Sequence, residues 1–167
     1  RSSDLYGLNT YYNISEAEIG TLPNKKPYLK KHEIYFNISH SKDLVVCAIA
    51  EYPLGIDIEF NNPEVSYPDF KFQMTDNEFR EIYNSGDKTK SFFTYWTRKE
   101  AIIKAHGAGM MLPLDSFEIL NNECTIEGEK FFTREIFIHE DYPTCIASSD
   151  QKIKEVIPLI TYFEEET

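Results

Sequence analysis

The chain has 167 residues, enough for one domain with a real core or two small subdomains sharing one, and too few for two large independent domains. Its 41% hydrophobic content, with eleven Tyr and twelve Phe, is that of a globular protein, and no apolar run approaches the ~18 residues that span a bilayer, so no membrane is expected as a partner. A net charge of −11 argues against nucleic acid, whose phosphates are gripped mainly by Lys and Arg, so any phosphate site must be local. Cys47, Cys124 and Cys145 have no close-pair spacing and are expected to be reduced core thiols of a cytoplasmic protein. The opening RSSDLYGL has neither an initiator Met nor a signal-like apolar segment, and reads as a cut edge with chain missing upstream.

In chain order, residues 3–13 carry Leu5, Leu8 and Tyr11 at helical spacing and predict a short helix, with one further turn over 15–19. A loop with two prolines and four lysines follows, leading into the apolar Ile34, Tyr35 and Phe36. FNISHSKD then sets Ser39, His40 and Ser41 in a turn before the strand 45–51. Pro53 breaks that strand, and the next, GIDIE over 55–59, is expected to pair with it as a hairpin. After an irregular stretch over 61–74, TDNE is a capping box opening a helix with Phe79, Ile82 and Tyr83 on its apolar stripe. A longer helix is expected over 90–106, closed by Gly107. Strands over 117–120, 124–127, 135–139 and 144–148 follow, with a last one over 157–162, so the fold class is α+β.

Alternation puts Asp57 and Glu59 on one face of their strand and Ile56 and Ile58 on the other. An ordinary strand with one wet face explains that pattern. Trp96, Glu100 and Lys104 share a stripe of the long helix, and there a surface ion pair explains the spacing equally well. If the three carboxylates converge, they make an oxygen-rich site suited to Mg²⁺, with Lys104 beside it to offset a phosphate. Ser39, His40 and Ser41 could hold a phosphate through hydroxyl, imidazole and backbone donors, or simply form a turn. Lys25, Lys26, Lys30 and Lys31 read as a solvated face unless an anion docks there.

Taken together, FNISHS, GIDIE and FxxYWTRKEAIIKAHGAG, in this order and at these intervals, resemble the 4'-phosphopantetheinyl transferases of the type that activates surfactin synthetase. KKPYL looks like that family's GKPYL, with Lys25 where glycine is usual, and the similarity runs from about residue 20 to 150. The resemblance implies transfer of the phosphopantetheine arm of coenzyme A to a serine of an acyl or peptidyl carrier protein, with release of 3',5'-ADP. It implies Asp57, Glu59 and Glu100 as Mg²⁺ ligands, Glu100 also as general base, and Lys104 as the cation on the leaving phosphate. Lys26, Ser39 and His40, with Asp57 and Lys104, are implied as coenzyme A contacts. A catalytically silent module that binds coenzyme A or the carrier is the alternative. The implied fold is a pseudo-two-fold pair of α/β subdomains, each with an antiparallel sheet and a long helix, the N-terminal half truncated. Residues 1–54 would be the remainder of that half and a linker, and 55–167 the C-terminal subdomain, together one domain acting as a monomeric pseudo-dimer. Phe70, Phe72, Met74 and Tyr83 would be either carrier-docking contacts or core, and docking is expected to be apolar with modest salt dependence.

Overall fold

The structure, a computed structural model, describes residues 2–162. It is a mixed α+β fold with three antiparallel sheets. Helix α1, Ser2–Tyr12, buries Leu8 and leaves Leu5 and Tyr11 exposed. The turn expected over 15–19 does not form. Ile19 instead opens β1, Ile19–Thr21, which pairs with β2, Pro27–Leu29, inside what reads as a lysine-rich loop. Lys25 in the turn between them has φ 68°, the left-handed region where glycine is at home, which accounts physically for glycine being usual there.

FNISHS is strand rather than turn: β3, Tyr35–Ser41, pairs with β4, Leu44–Ala50, and the reversal falls at Lys42, whose φ is 48°. The register sets Phe36 opposite Ile49 and Ile38 opposite Cys47, and these pack on Leu8, Ile14 and Leu29. On the other face Asn37 lies opposite Ala48 and Ser39 opposite Val46, and Val46 and Ala48 join a different core around Ile56, Phe132, Ile146 and Ile153. The apolar run of β4 lacks alternation because both of its faces are packed.

Strand β5, Gly55–Ile58, does not pair with β4. Its backbone partner is β8, Thr144–Ser148, in a sheet ordered β5-β8-β7-β6, where β6 is Glu123–Ile126 and β7 is Glu129–Glu135. The expected strand over 117–120 reduces to a bridge between Leu120 and Glu123 around Asn121 and Asn122, both left-handed as a tight hairpin turn requires. The strand expected over 135–139 lies earlier, at β7, and 157–162 forms no strand.

Helix α2, Asp76–Asn84, has the predicted capping box, Thr75 and Glu78 each accepting the other's backbone N–H. Helix α3, Lys88–His106, starts at the Asp87 cap and ends at Gly107, φ 84°. One face of α3 presents Ala101, Ile102 and Ile103 to Phe117, Phe131 and Cys145 in the main core. Phe92, Phe93 and Trp96 pack with Phe70, Met74 and Ile82. Cys124 and Cys145 are buried and Cys47 is partly so, and burial pushes each thiol up to about 12. Among the described residues no helix is long and apolar enough to cross a membrane.

Two close contacts fix α3. Lys99 is fully buried, and its ammonium donates to Glu78 Oε2 at 2.8 Å and to the carbonyls of Leu114 and Phe117 at 2.6 and 2.7 Å. Glu78 Oε1 accepts the Ile119 N–H at 2.9 Å, so one carboxylate caps α2, neutralises α3 and anchors the chain returning to the sheet. Gly55 touches α3 directly: an added Cβ would fall on the Ala101 carbonyl oxygen and 2.6 Å from the Ala105 nitrogen, and neither backbone atom can yield without moving the helix.

Removing one partner of a buried ion pair strands the other's charge, so Lys99→Met should lower unfolding stability by ~3–5 kcal/mol. The urea midpoint measures this, and a loss below about 1 kcal/mol would show that the pair does not anchor the helices. Gly55→Ala should cost ~3 kcal/mol by overpacking. A wild-type thermal midpoint for that variant would refute the close approach.

Candidate functional site

Asp57 is buried between three elements. Its Oδ1 accepts from Lys104 Nζ on α3 at 2.7 Å and from Ser39 Oγ on β3 at 3.0 Å, while Oδ2 is buried with no hydrogen-bond partner. Lys104 Nζ also donates to Ser39 Oγ and to the Ile56 carbonyl, both at 3.1 Å. Gly55 brings β5 near enough to α3 for a lysine one turn from the helix end to reach across.

The edge of β5 away from β8 meets β3 through side chains. Asn37 Oδ1, Ser39 Oγ and Ser41 Oγ accept the N–H groups of Ile56, Ile58 and Phe60 at 2.8, 3.3 and 2.9 Å. Three polar residues at alternate positions of β3 thus match three alternate amides of the neighbouring segment. Ser41 Oγ also donates to Glu59 Oε2 at 3.3 Å, repeating one step further along what Ser39 does for Asp57.

Glu59 and Glu100 are half-buried beside Asp57. Burial first, then the neighbouring Asp57 charge and after it Glu100, push the Glu59 carboxyl up to about 7, against the opposing Ser41 hydrogen bond and Lys104. Glu100 is raised in the same way, by burial and then by Asp57, while Lys104 opposes the shift. Asp57 is raised by burial, opposed by Lys104 and the Ser39 hydroxyl. Asp57 is thus near enough to act electrostatically on both Glu59 and Glu100. Lys104 draws Asp57 toward α3, and among the described residues no group of three or more His, Cys, Asp or Glu closes to metal-binding distances. A buried, unpartnered carboxylate oxygen flanked by two further carboxylates is a donor set that suits a hard cation such as Mg²⁺.

The remaining implied residues are placed differently. His40 is exposed and lies on the face of β3 opposite Ser39, so it does not meet the carboxylates. Lys26 Nζ donates to the carbonyls of Leu54 and Lys104 at 3.1 and 2.6 Å, a cation at the carbonyl end of α3. Asn24 joins it there, its side-chain amide donating to the Gly107 carbonyl. Phe70 and Met74 belong to the core, while Phe72 and Tyr83 are exposed. Asn37, Gly55 and Lys99 carry structural duties that sequence reading missed, although the period-two placing of Asn37 with the serines was a usable signal. Open clefts of about 410 and 510 Å³ lie around Arg98 and Glu135, away from the carboxylates.

Residues 53–150 match the family model of the 4'-phosphopantetheinyl transferase superfamily, a span that contains Asp57, Glu59, Glu100 and Lys104. The chain is 38% identical over 120 residues to the 4'-phosphopantetheinyl transferase gsp of Aneurinibacillus migulanus, covering 64% of this chain and 49% of that protein. It is 32% identical over 164 residues to a Bacillus subtilis 4'-phosphopantetheinyl transferase, covering 92% and 73%, and 29% identical to 4'-phosphopantetheinyl transferase Sfp of the same species, covering 94% and 75%. It thus spans about half the length of the first relative and about three quarters of the other two. A Thermotoga maritima holo-[acyl-carrier-protein] synthase structure aligns at TM-score 0.44 and 17% identity over 57% of this chain and 61% of that one. With GIDIE and the α3 motif inside the matched span, the chain belongs to the 4'-phosphopantetheinyl transferase superfamily.

Proposed function

We propose that the chain transfers the 4'-phosphopantetheine group of coenzyme A to a serine hydroxyl of an acyl or peptidyl carrier protein, releasing 3',5'-ADP, with Mg²⁺ required. The observation that carries this reading is Asp57, one oxygen held by Ser39 and Lys104, the other buried and unpartnered, with Glu59 and Glu100 beside it. Asp57, Glu59 and Glu100 would hold the metal, which supplies neutralisation for the pyrophosphate of coenzyme A.

The bond formed joins the carrier serine oxygen to the phosphorus that bears pantetheine. The bond broken joins that phosphorus to the bridging pyrophosphate oxygen, and 3',5'-ADP departs with the electron pair. Glu100 takes the serine proton, directly or through one water; its raised pKa, from burial and Asp57, makes it a better base than a free glutamate. Lys104 lends its charge to the departing phosphate. Ser39 orients Asp57, and Lys26 and His40 would meet the outer phosphates of coenzyme A. In this reading 1–54 and 55–167 act as halves of one catalytic domain. Apolar docking of the carrier is supported by Phe72 and Tyr83, which stand exposed on a protein of net charge −11.

Mass spectrometry of an apo carrier protein incubated with coenzyme A and Mg²⁺ should show the gain of one phosphopantetheine, abolished by EDTA and restored by excess Mg²⁺. Glu100→Ala should cut the rate ~10²–10⁴-fold with the fold retained. Coenzyme A binding without any mass gain would favour the silent binding module. Carrier affinity, followed by fluorescence titration, should change less than about threefold as salt is raised through ~0.15 M. A steep loss would overturn the apolar docking.

A further inference from the structure

The ladder between β3 and β5 carries one more assignment. We propose that Ser41 is a positioning residue that holds the Glu59 carboxylate toward Asp57 and Glu100, an inference resting on the reading of Glu59 as a metal ligand.

A serine hydroxyl has one proton to give and lone pairs to accept with. At Ser41 a lone pair takes the Phe60 N–H at 2.9 Å, which pins the oxygen to the backbone immediately after Glu59. The one proton is then committed to Glu59 Oε2 at 3.3 Å. Among the described residues, no other hydrogen bond to the Glu59 carboxylate is present. Ser39 is differently engaged, since it also accepts from Lys104 and shares Asp57 with that ammonium. Asp57 is therefore held by a cation and a hydroxyl, Glu59 by a hydroxyl alone.

That difference matters because of where Glu59 sits. Asp57 and Glu100 both act on it as like charges, and burial disfavours its ionised form as well. Left to itself, a half-exposed glutamate with freely turning torsions would relieve both penalties by swinging into water. The Ser41 hydroxyl opposes that swing with a bond to the charged form, and because its oxygen is tied to the amide of the next residue, it fixes direction as well as charge. Groups that orient metal-ligating side chains typically change metal affinity 10–100-fold when removed.

The test uses the full chain with coenzyme A and Mn²⁺ as the metal probe, free Mn²⁺ being counted by its paramagnetic resonance signal. Ser41→Ala should weaken Mn²⁺ binding ~10-fold or more, with coenzyme A affinity in EDTA unchanged and the urea midpoint lowered only as far as loss of the Phe60 N–H acceptor requires. Ser41→Thr, which keeps a hydroxyl on a strand-favouring side chain, should restore Mn²⁺ binding. Wild-type Mn²⁺ affinity in Ser41→Ala overturns the proposal, and so does a loss that Ser41→Thr fails to restore. A Glu59→Gln control separates the two readings. If Glu59→Gln weakens Mn²⁺ binding and Ser41→Ala does not, only the positioning role falls; if Glu59→Gln binds Mn²⁺ as wild type does, the ligand reading of Glu59 falls and this proposal with it.

Discussion

Strand β5 has a backbone partner on one edge only. Pairing with β8 satisfies that edge, but on the other the amides of Ile56, Ile58 and Phe60 face β3 at a place where both segments are packed, and an unpaired buried N–H costs ~1–3 kcal/mol. Asn37, Ser39 and Ser41 resolve this by presenting side-chain oxygens instead of carbonyls. Side-chain acceptors stand the two strands further apart than a backbone ladder would. In that wider seam the serine hydroxyls keep a proton to spare, and the proton goes to a carboxylate. The same atoms that join the two parts of the chain therefore set the direction of Asp57 and Glu59. A backbone ladder could do the joining but not the aiming.

The helix side of the site depends on a different economy of charge. Three carboxylates gathered at a half-buried seam repel one another and are each raised by burial, so they persist only beside a cation. Lys104 is that cation, and it reaches Asp57 because Gly55 lets β5 lie against the backbone of α3. Position along the helix is also fixed by Lys99 and Glu78, which are paired without exposure to water. Buried pairs of this kind rarely add net stability over an apolar core. Here every remaining oxygen and proton of the pair that could be left orphaned instead binds the α2 cap, a carbonyl or the Ile119 amide, so the pair fixes where α2, α3 and the segment before β6 must meet.

Polar–apolar alternation and local end signals were legible in the sequence. GIDIE alternates because one face packs on Ile146 and Phe132 while the other carries the acids, and the α2 capping box and the Gly107 stop are local codes that tertiary context did not override. What failed was pairing and two-sided burial. The turn between β4 and β5 looked like a hairpin, yet β5 joins a strand far along the chain, a choice no local signal encodes. β7 was hidden because Phe131 and Phe132 point into two different cores, so alternation vanishes where both faces are apolar. Conversely, 135–139 carries the apolar run Ile136, Phe137 and Ile138, yet the ladder ends at Glu135. Asp57 and Lys104 were legible as spacing; that these two meet follows from the Gly55 contact, which a sequence states only as a missing side chain.

In the proposed reaction the substrate is anionic, and the distribution of cations bears on how an acidic chain would capture it. Among the basic side chains of this region, Lys99 is sealed in the core, Lys26 donates to the carbonyls of Leu54 and Lys104, and Lys104 is bound to Asp57. Lys99 and Lys104 are each matched by a carboxylate of their own chain, Glu78 and Asp57, so the rest of the chain still carries the formal −11. Long-range attraction then contributes nothing to drawing in a phosphate-bearing ligand, since the field at a Debye length is repulsive. Affinity must arise at contact, where the ligand meets an ammonium and whatever charge the unpartnered Asp57 oxygen recruits. A site of this kind pulls an anion in only when that recruited charge is positive, which ties ligand capture and charge neutralisation to a single event at Asp57.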